Sequence, residues 1–154
     1  MKNIFFAHGH SKLIYEILEN LDANEKEINL IGVLTTEKKK FISKNNDIDF
    51  FFYNKLINKD YNNNISLNGD QIKYFRENGF YEFIAQTDRV SIIPKSNVDN
   101  INLYYYLTEV FLEYFKNKKI TNVIFQTSPH LLIDYVILNV ANYLRLKKII
   151  FFRT

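Results

Sequence analysis

The chain has three histidines and no cysteine, so imidazole, carboxylate and hydroxyl chemistry is open to it and thiolate chemistry is not. His8-Gly9-His10-Ser11 sits between an apolar run, Asn3 to Ala7, and a segment in which Leu13, Ile14, Ile17, Leu18 and Leu21 recur at helical spacing. This order reads as strand, tight turn, helix. Free backbone N–H groups and the helix dipole at such a turn favour phosphate or carboxylate. A compact turn whose histidines hydrogen-bond locally explains the same residues. The turn has one glycine, so it is neither a Gly-x-Gly-x-x-Gly fingerprint nor a phosphate-binding Walker loop. No cofactor is implied. His8 and His10 with His130 or Asp134 have the chemistry of zinc or manganese ligands, but nothing in their spacing makes the four converge, and no metal is assigned.

The second cluster is Gln126-Thr127-Ser128-Pro129-His130, with Asp134 four residues after His130. Ser128 before Pro129 reads as an N-cap followed by proline at the first helical position. On that reading His130 and Asp134 share one helix face, where the carboxylate orients the imidazole. His130 and Asp134 are then the candidate catalytic pair, a general acid or base beside the hydroxyls of Thr127 and Ser128. A capped helix with a packed histidine is the bland alternative. Arg89, in Thr87-Asp88-Arg89, and Arg153, in Arg153-Thr154, are two of four arginines and stand beside apolar segments. Each suits an anion clamp or, equally, an ion pair tying down a helix end. The lysine runs Lys38-Lys39-Lys40 and Lys116, Lys118, Lys119 read as solvated helix faces.

Elements positioning these residues follow from apolar periodicity. Strands are expected at Asn3–Ala7, Ile28–Leu34, Asp49–Tyr53, Thr121–Gln126 and Lys147–Phe152. Helices are expected after the first strand, over about 35–43, over 100–115 and over 131–144, with two short helices between Asp70 and Asp88 broken near Asn78-Gly79. Val90 to Ile93 reads as a short extended piece ended by Pro94, and Asn58 to Asn64 as a polar loop. Continuously apolar strands alternating with helices indicate a parallel sheet covered on both faces. The fold class is α/β: a doubly wound, mostly parallel five-stranded sheet of order 3-2-1-4-5, a Rossmann-like three-layer sandwich. Its ligands lie beyond the carboxyl ends of the strands, where the order reverses. Both histidine-bearing turns belong there.

At 154 residues the chain suits one domain, residues 1–154. The 20 basic residues are interspersed with 17 acidic ones and are mostly lysine, which argues against a nucleic-acid partner. Absence of cysteine and of an N-terminal signal pattern fits a cytoplasmic setting, and no apolar run approaches the ~18 residues of a spanning helix. Abundant Asn, Ile, Lys, Tyr and Phe match the coding bias of an AT-rich genome, so aromatic richness carries no functional weight.

From about Tyr81 to Thr154 the chain resembles bacterial surface-polysaccharide (capsule or lipopolysaccharide) biosynthesis proteins with a glycosyltransferase-B-like N-terminal domain. The resemblance rests on Asp88-Arg89, the aromatic-rich helix Leu103 to Phe115 and the strand Val123-Ile124-Phe125. It continues through Ser128-Pro129-His130, Asp134-Tyr135, Ala141, Leu144 and the closing Ile150-Phe151-Phe152-Arg153-Thr154. The first half matches only as a Rossmann-like start. Two such domains face each other across a cleft in proteins of that kind, the second holding the nucleotide-sugar donor and the first serving the acceptor side. The resemblance therefore implies an N-terminal, acceptor-side transferase domain, inactive alone, with the donor site on a further domain. Its partners would be a sugar or glycan acceptor and a nucleotide sugar, with peripheral membrane contact left open and the oligomeric state undetermined. His130 and Asp134 would deprotonate an acceptor hydroxyl. His8, Gly9, His10, Ser11, Arg89, Thr127, Ser128 and Arg153 would bind substrate. Ala7-His8-Gly9-His10-Ser11-Lys12 also resembles the Rossmann-like start of sugar O-acyltransferases, which hold a nucleotide sugar near a Gly-His turn. A noncatalytic partner-binding α/β domain is the third reading.

Overall fold

A computed structural model describes residues 2–7, 28–35, 48–87, 96–129 and 131–151. Its strands are β1 (Lys2–Ala7), β2 (Ile28–Thr35), β3 (Asp49–Phe52), β4 (Asn122–Phe125) and β5 (Lys147–Ile150). They form one all-parallel sheet of order β3-β2-β1-β4-β5, as the apolar pattern predicts. The helices are α1 (Tyr53–Ile57), α2 (Gly69–Phe75), α3 (Tyr81–Thr87), α4 (Asn97–Asn117) and α5 (Leu132–Tyr143), with a π-turn at Arg76–Phe80 joining α2 to α3. The helices expected after β1 and over 35–43, and the extended piece at 90–93, lie outside the described residues.

Both faces of the sheet are buried, which is why its strands lack in-out alternation. Phe5, Ala7, Leu34, Phe51, Val123 and Phe125 point to the face covered by α1 to α5, while Ile4, Phe6, Val33 and Ile124 form a separate buried cluster on the other. Phe5 is the hub of the larger core. Its ring meets Phe51, Phe111, Tyr114 and Phe115 at centroid distances of 5.0–5.9 Å, three of the four contacts edge-on. Such geometry adds to the area term, so the aromatics that coding bias supplies are the substance of this core.

Near the amino ends of the strands, a register shift between Ile4 and Phe5 leaves Ile31 unopposed in the β1–β2 ladder. The Tyr114 hydroxyl lies against the bulge, 3.1 Å from the Ile31 carbonyl oxygen and 3.0 Å from Asp49 Oδ2. Asp49 in turn pairs with Lys118 at 2.8 Å. Gly32 makes room for this latch: a Cβ there would run into the Tyr114 hydroxyl and come within 2.9 Å of the Phe5 ring.

The loop after α1 is polar, as expected, but it is strapped to α4 side chain by side chain. Tyr106 Oη accepts from the Tyr61 N–H at 2.9 Å and donates to the Tyr61 carbonyl at 3.0 Å. Glu109 accepts from Asn63 Nδ2 and the Leu67 N–H, and Glu113 accepts from the Asn64 N–H. Tyr61 Oη itself binds the Phe52 N–H and the Phe50 carbonyl, covering the outer edge of β3.

Three local expectations are corrected. β3 ends at Phe52, and Tyr53 opens α1. The helix does not break at Asn78-Gly79; it continues through the π-turn, and Gly79 is buried with no positive φ. Gly79 is needed for space, because a Cβ there would collide with the Asn139 side chain of α5. Ser128 and Pro129 do not start the last helix, whose N-cap is Leu131 and whose first residue is Leu132; Pro129 is instead buried ahead of it.

Helix ends were harder to read because the usual glycine is missing. Lys59, Lys119 and Arg145 take φ of 59°, 52° and 55°, directly after the C-caps Asn58, Lys118 and Leu144. Paired bonds such as Lys119 N–H to Lys116 O (3.2 Å) and Ile120 N–H to Phe115 O (2.9 Å) make each a Schellman turn. A non-glycine residue is strained there. Lys119→Gly is therefore expected to raise stability by about 0.5–1 kcal/mol, whereas Gly32→Ala lowers it by about 1–3 kcal/mol through overpacking. Urea unfolding midpoints check both; equal midpoints for wild type and Gly32→Ala would contradict the latch.

Candidate functional site

The order of strands reverses between β1 and β4, and there Ala7 is paired with Phe125. These are the last residues of their strands. The segments beginning at His8 and Gln126 thus leave the sheet from adjacent positions, at the place where open α/β sheets bind ligands. His8, Gly9, His10, Ser11, Arg89, His130 and Arg153 themselves lie outside the described residues. Thr127 is half-buried and Ser128 exposed in the connection after β4.

Asp134 is placed differently from its expected role. α5 starts at Leu132 with Leu131 as its N-cap, later than the Ser128-Pro129 start on which the pairing of His130 with Asp134 was expected. Asp134 occupies the first turn of α5 and is only 2% exposed. Its Oδ1 accepts a long hydrogen bond, 3.4 Å, from the hydroxyl of Tyr53. Tyr53 directly follows β3, three strand positions from β4, or about 14 Å at normal sheet spacing. The contact thus links the first residue after β3 to the first turn of the helix after β4. Thr35, the buried last residue of β2, lies at the same rim.

Gln126 adds a second acceptor: its Oε1 is buried and has no hydrogen-bond partner. An unmade bond of this kind costs about 1–3 kcal/mol and is retained where something else is gained. Among the described residues no cluster of three or more His, Asp or Glu could hold a metal ion. Tyr53 was not evident as a site residue in the sequence, and Gln126 stood in the second cluster without a role of its own. The available signal was positional, since each stands one residue past an apolar strand.

Burial raises the Tyr53 hydroxyl pKa above its ordinary value, and the charge and hydrogen bond of Asp134 raise it further. Burial is also the main cause for Tyr104 and Tyr114, with the Asp49 carboxylate contributing at Tyr114. Tyr53 is thus a protonated donor to Asp134 across neutral pH.

The chain is an α/β, Rossmann-like fold in which β1 and β4 meet at a topological switch point. The chain significantly matches no protein-family model, no curated protein and no solved structure. Among the described residues, no helix is long and apolar enough to cross a membrane.

A raised native pKa means that the native state holds its tyrosine protons more tightly than the unfolded chain. The associated stability is present below the unfolded value near 10 and is lost as pH rises beyond it. Phenolate absorbance during an alkaline titration should show Tyr53, Tyr104 and Tyr114 ionising together with unfolding. Tyr53→Phe should leave the fold intact and remove one of these late-ionising groups; an unchanged number would contradict the assignment.

Proposed function

We propose that this chain is the N-terminal, acceptor-side domain of a glycosyltransferase-B-like protein of bacterial surface polysaccharide biosynthesis, working in the cytoplasm. The observation that carries the reading is the pairing of Ala7 with Phe125. It brings the departure points of the two histidine-bearing connections together at the ligand-binding rim of a parallel sheet. The resemblance of the second half to such transferases supplies the choice of chemistry.

On this reading His130 takes the proton of an acceptor hydroxyl as that oxygen attacks the sugar donor. The donor, a nucleotide sugar, sits on a further domain. Thr127 and Ser128 bind sugar hydroxyls, and the turn from His8 to Ser11, with Arg89 and Arg153, contributes donors and positive charge where the leaving diphosphate develops. Asp134 is too deeply buried to touch an acceptor. It acts as a positioning residue, fixed through Tyr53.

Two measurements test the proposal. Thermal unfolding of the chain should respond to neutral saccharide acceptors, by about 1.4 kcal/mol at ten times the dissociation constant, and not to nucleotides. Stabilisation by nucleotide sugars alone would favour the acyltransferase-like reading. In the two-domain enzyme, His130→Ala should lower kcat by about 100-fold or more, with the acceptor KM little changed. Wild-type turnover by that variant would remove His130 from the mechanism.

A further inference from the structure

We propose that Asn68-Gly69 is a site of spontaneous covalent modification, where the chain converts its own Asn68 to aspartate and isoaspartate, while the same dipeptide at Asn78-Gly79 is protected by the fold. The inference is independent of the transferase reading.

Two of the four glycines follow an asparagine. With no side chain on the second residue, its backbone nitrogen can approach the asparagine side chain closely. The Gly69 nitrogen attacks Cγ of Asn68. The new C–N bond closes a cyclic succinimide, the Cγ–Nδ2 bond breaks, and the nitrogen's proton leaves with the amide group as ammonia. Water then opens the ring at either carbonyl. Opening at Cγ restores the ordinary peptide bond and gives aspartate; opening at the main-chain carbonyl routes the chain through Cβ and gives isoaspartate.

The two pairs differ in what must open before the ring can close. Asn68 and Gly69 are both exposed, and a Cβ added at Gly69 would meet no atom within 4 Å. What holds Asn68 is local. Its Oδ1 accepts from the Gln71 N–H at 3.0 Å, its N–H donates to Gln71 Oε1 at 2.9 Å, and its carbonyl accepts from the Ile72 N–H at 2.9 Å. Such bonds in an exposed first turn open by fraying, at little cost. Asn78 is held otherwise: its Nδ2 donates to the Tyr74 carbonyl at 2.8 Å, which turns the side chain back along the helix and away from the Gly79 nitrogen. Gly79 is buried in the π-turn, with the Asn139 side chain packed where its Cβ would be. Ring closure there requires that packing to open first.

The two products act differently on the fold. Aspartate caps a helix about as well as asparagine, so it keeps the first turn of α2. Isoaspartate lengthens the main chain by one carbon and moves the carboxylate onto Cα, which breaks the reciprocal bonds with Gln71. Leu67, the residue before, is buried and tied to Glu109 of α4 through its N–H at 3.2 Å. The added carbon therefore falls between the end of the strap and the helix it leads into.

The test incubates the intact chain at mildly alkaline pH and maps its peptides by mass spectrometry. The peptide holding Asn68 should gain the mass of an amide-to-acid exchange and split into two chromatographic species of equal mass, at least about tenfold faster than the peptide holding Asn78 reacts. In concentrated urea the two should react at similar rates, because the fold no longer separates them. Gly69→Ala, for which there is room, should fold and slow the reaction at Asn68 by roughly tenfold or more. The isoaspartate-containing fraction should melt at a lower temperature than untreated protein. Native Asn78 reacting as fast as Asn68, Asn68 staying intact in the native chain while it reacts in urea, or Gly69→Ala reacting like wild type would overturn the proposal.

Discussion

The structure depends on β1 being hydrogen-bonded on both sides. It pairs with β2 along one edge and β4 along the other, so the strands before and after the long helical excursion are joined through its six residues. A strand in that position must be apolar on both faces. Asn-Ile-Phe-Phe-Ala meets the requirement, sending Phe5 and Ala7 into one core and Ile4 and Phe6 into the other. The same double pairing creates the switch point, because β2 and β3 lie on one side of β1 and β4 and β5 on the other. Core and candidate site therefore share one origin.

Polar groups in this molecule are placed where the backbone needs them. Tyr114 covers a bulge, Tyr61 covers a strand edge, and Glu109 and Glu113 satisfy an asparagine-rich strap. The rim departs from this economy. Gln126 keeps an unpaired acceptor, and the Tyr53–Asp134 contact is long for a hydrogen bond. Asn100 and Asn139 are the other described buried groups with an unpaired atom, and Asn139 lies against Gly79 at the π-turn.

The rim of the sheet was legible as sequence, since strand ends can be read from apolar runs. Thr127 and Ser128 were expected just past a strand end in this way, and they directly follow Gln126 after β4. What was missed was which residues meet. Tyr53 looked like the last residue of a strand, and its partner lies 81 positions further along the chain. Ser128-Pro129 looked like a cap because local preference favours it there, yet the buried Pro129 belongs to the connection and the helix starts later. Gly79 looked like a stop because glycine commonly ends helices in the left-handed region. Here packing against Asn139 required a missing side chain, not an unusual φ.

Sequence alone determined the fold class, the strand order and the end of the sheet at which function is expected. These follow from apolar periodicity and the handedness of crossovers, which act on every residue of an element and survive local errors. Tertiary structure alone decided the helix ends, the tyrosine latch, the strap and the bond from Tyr53 to Asp134. Each depends on one or two atoms brought together from distant parts of the chain, and nothing in the local composition records such a meeting.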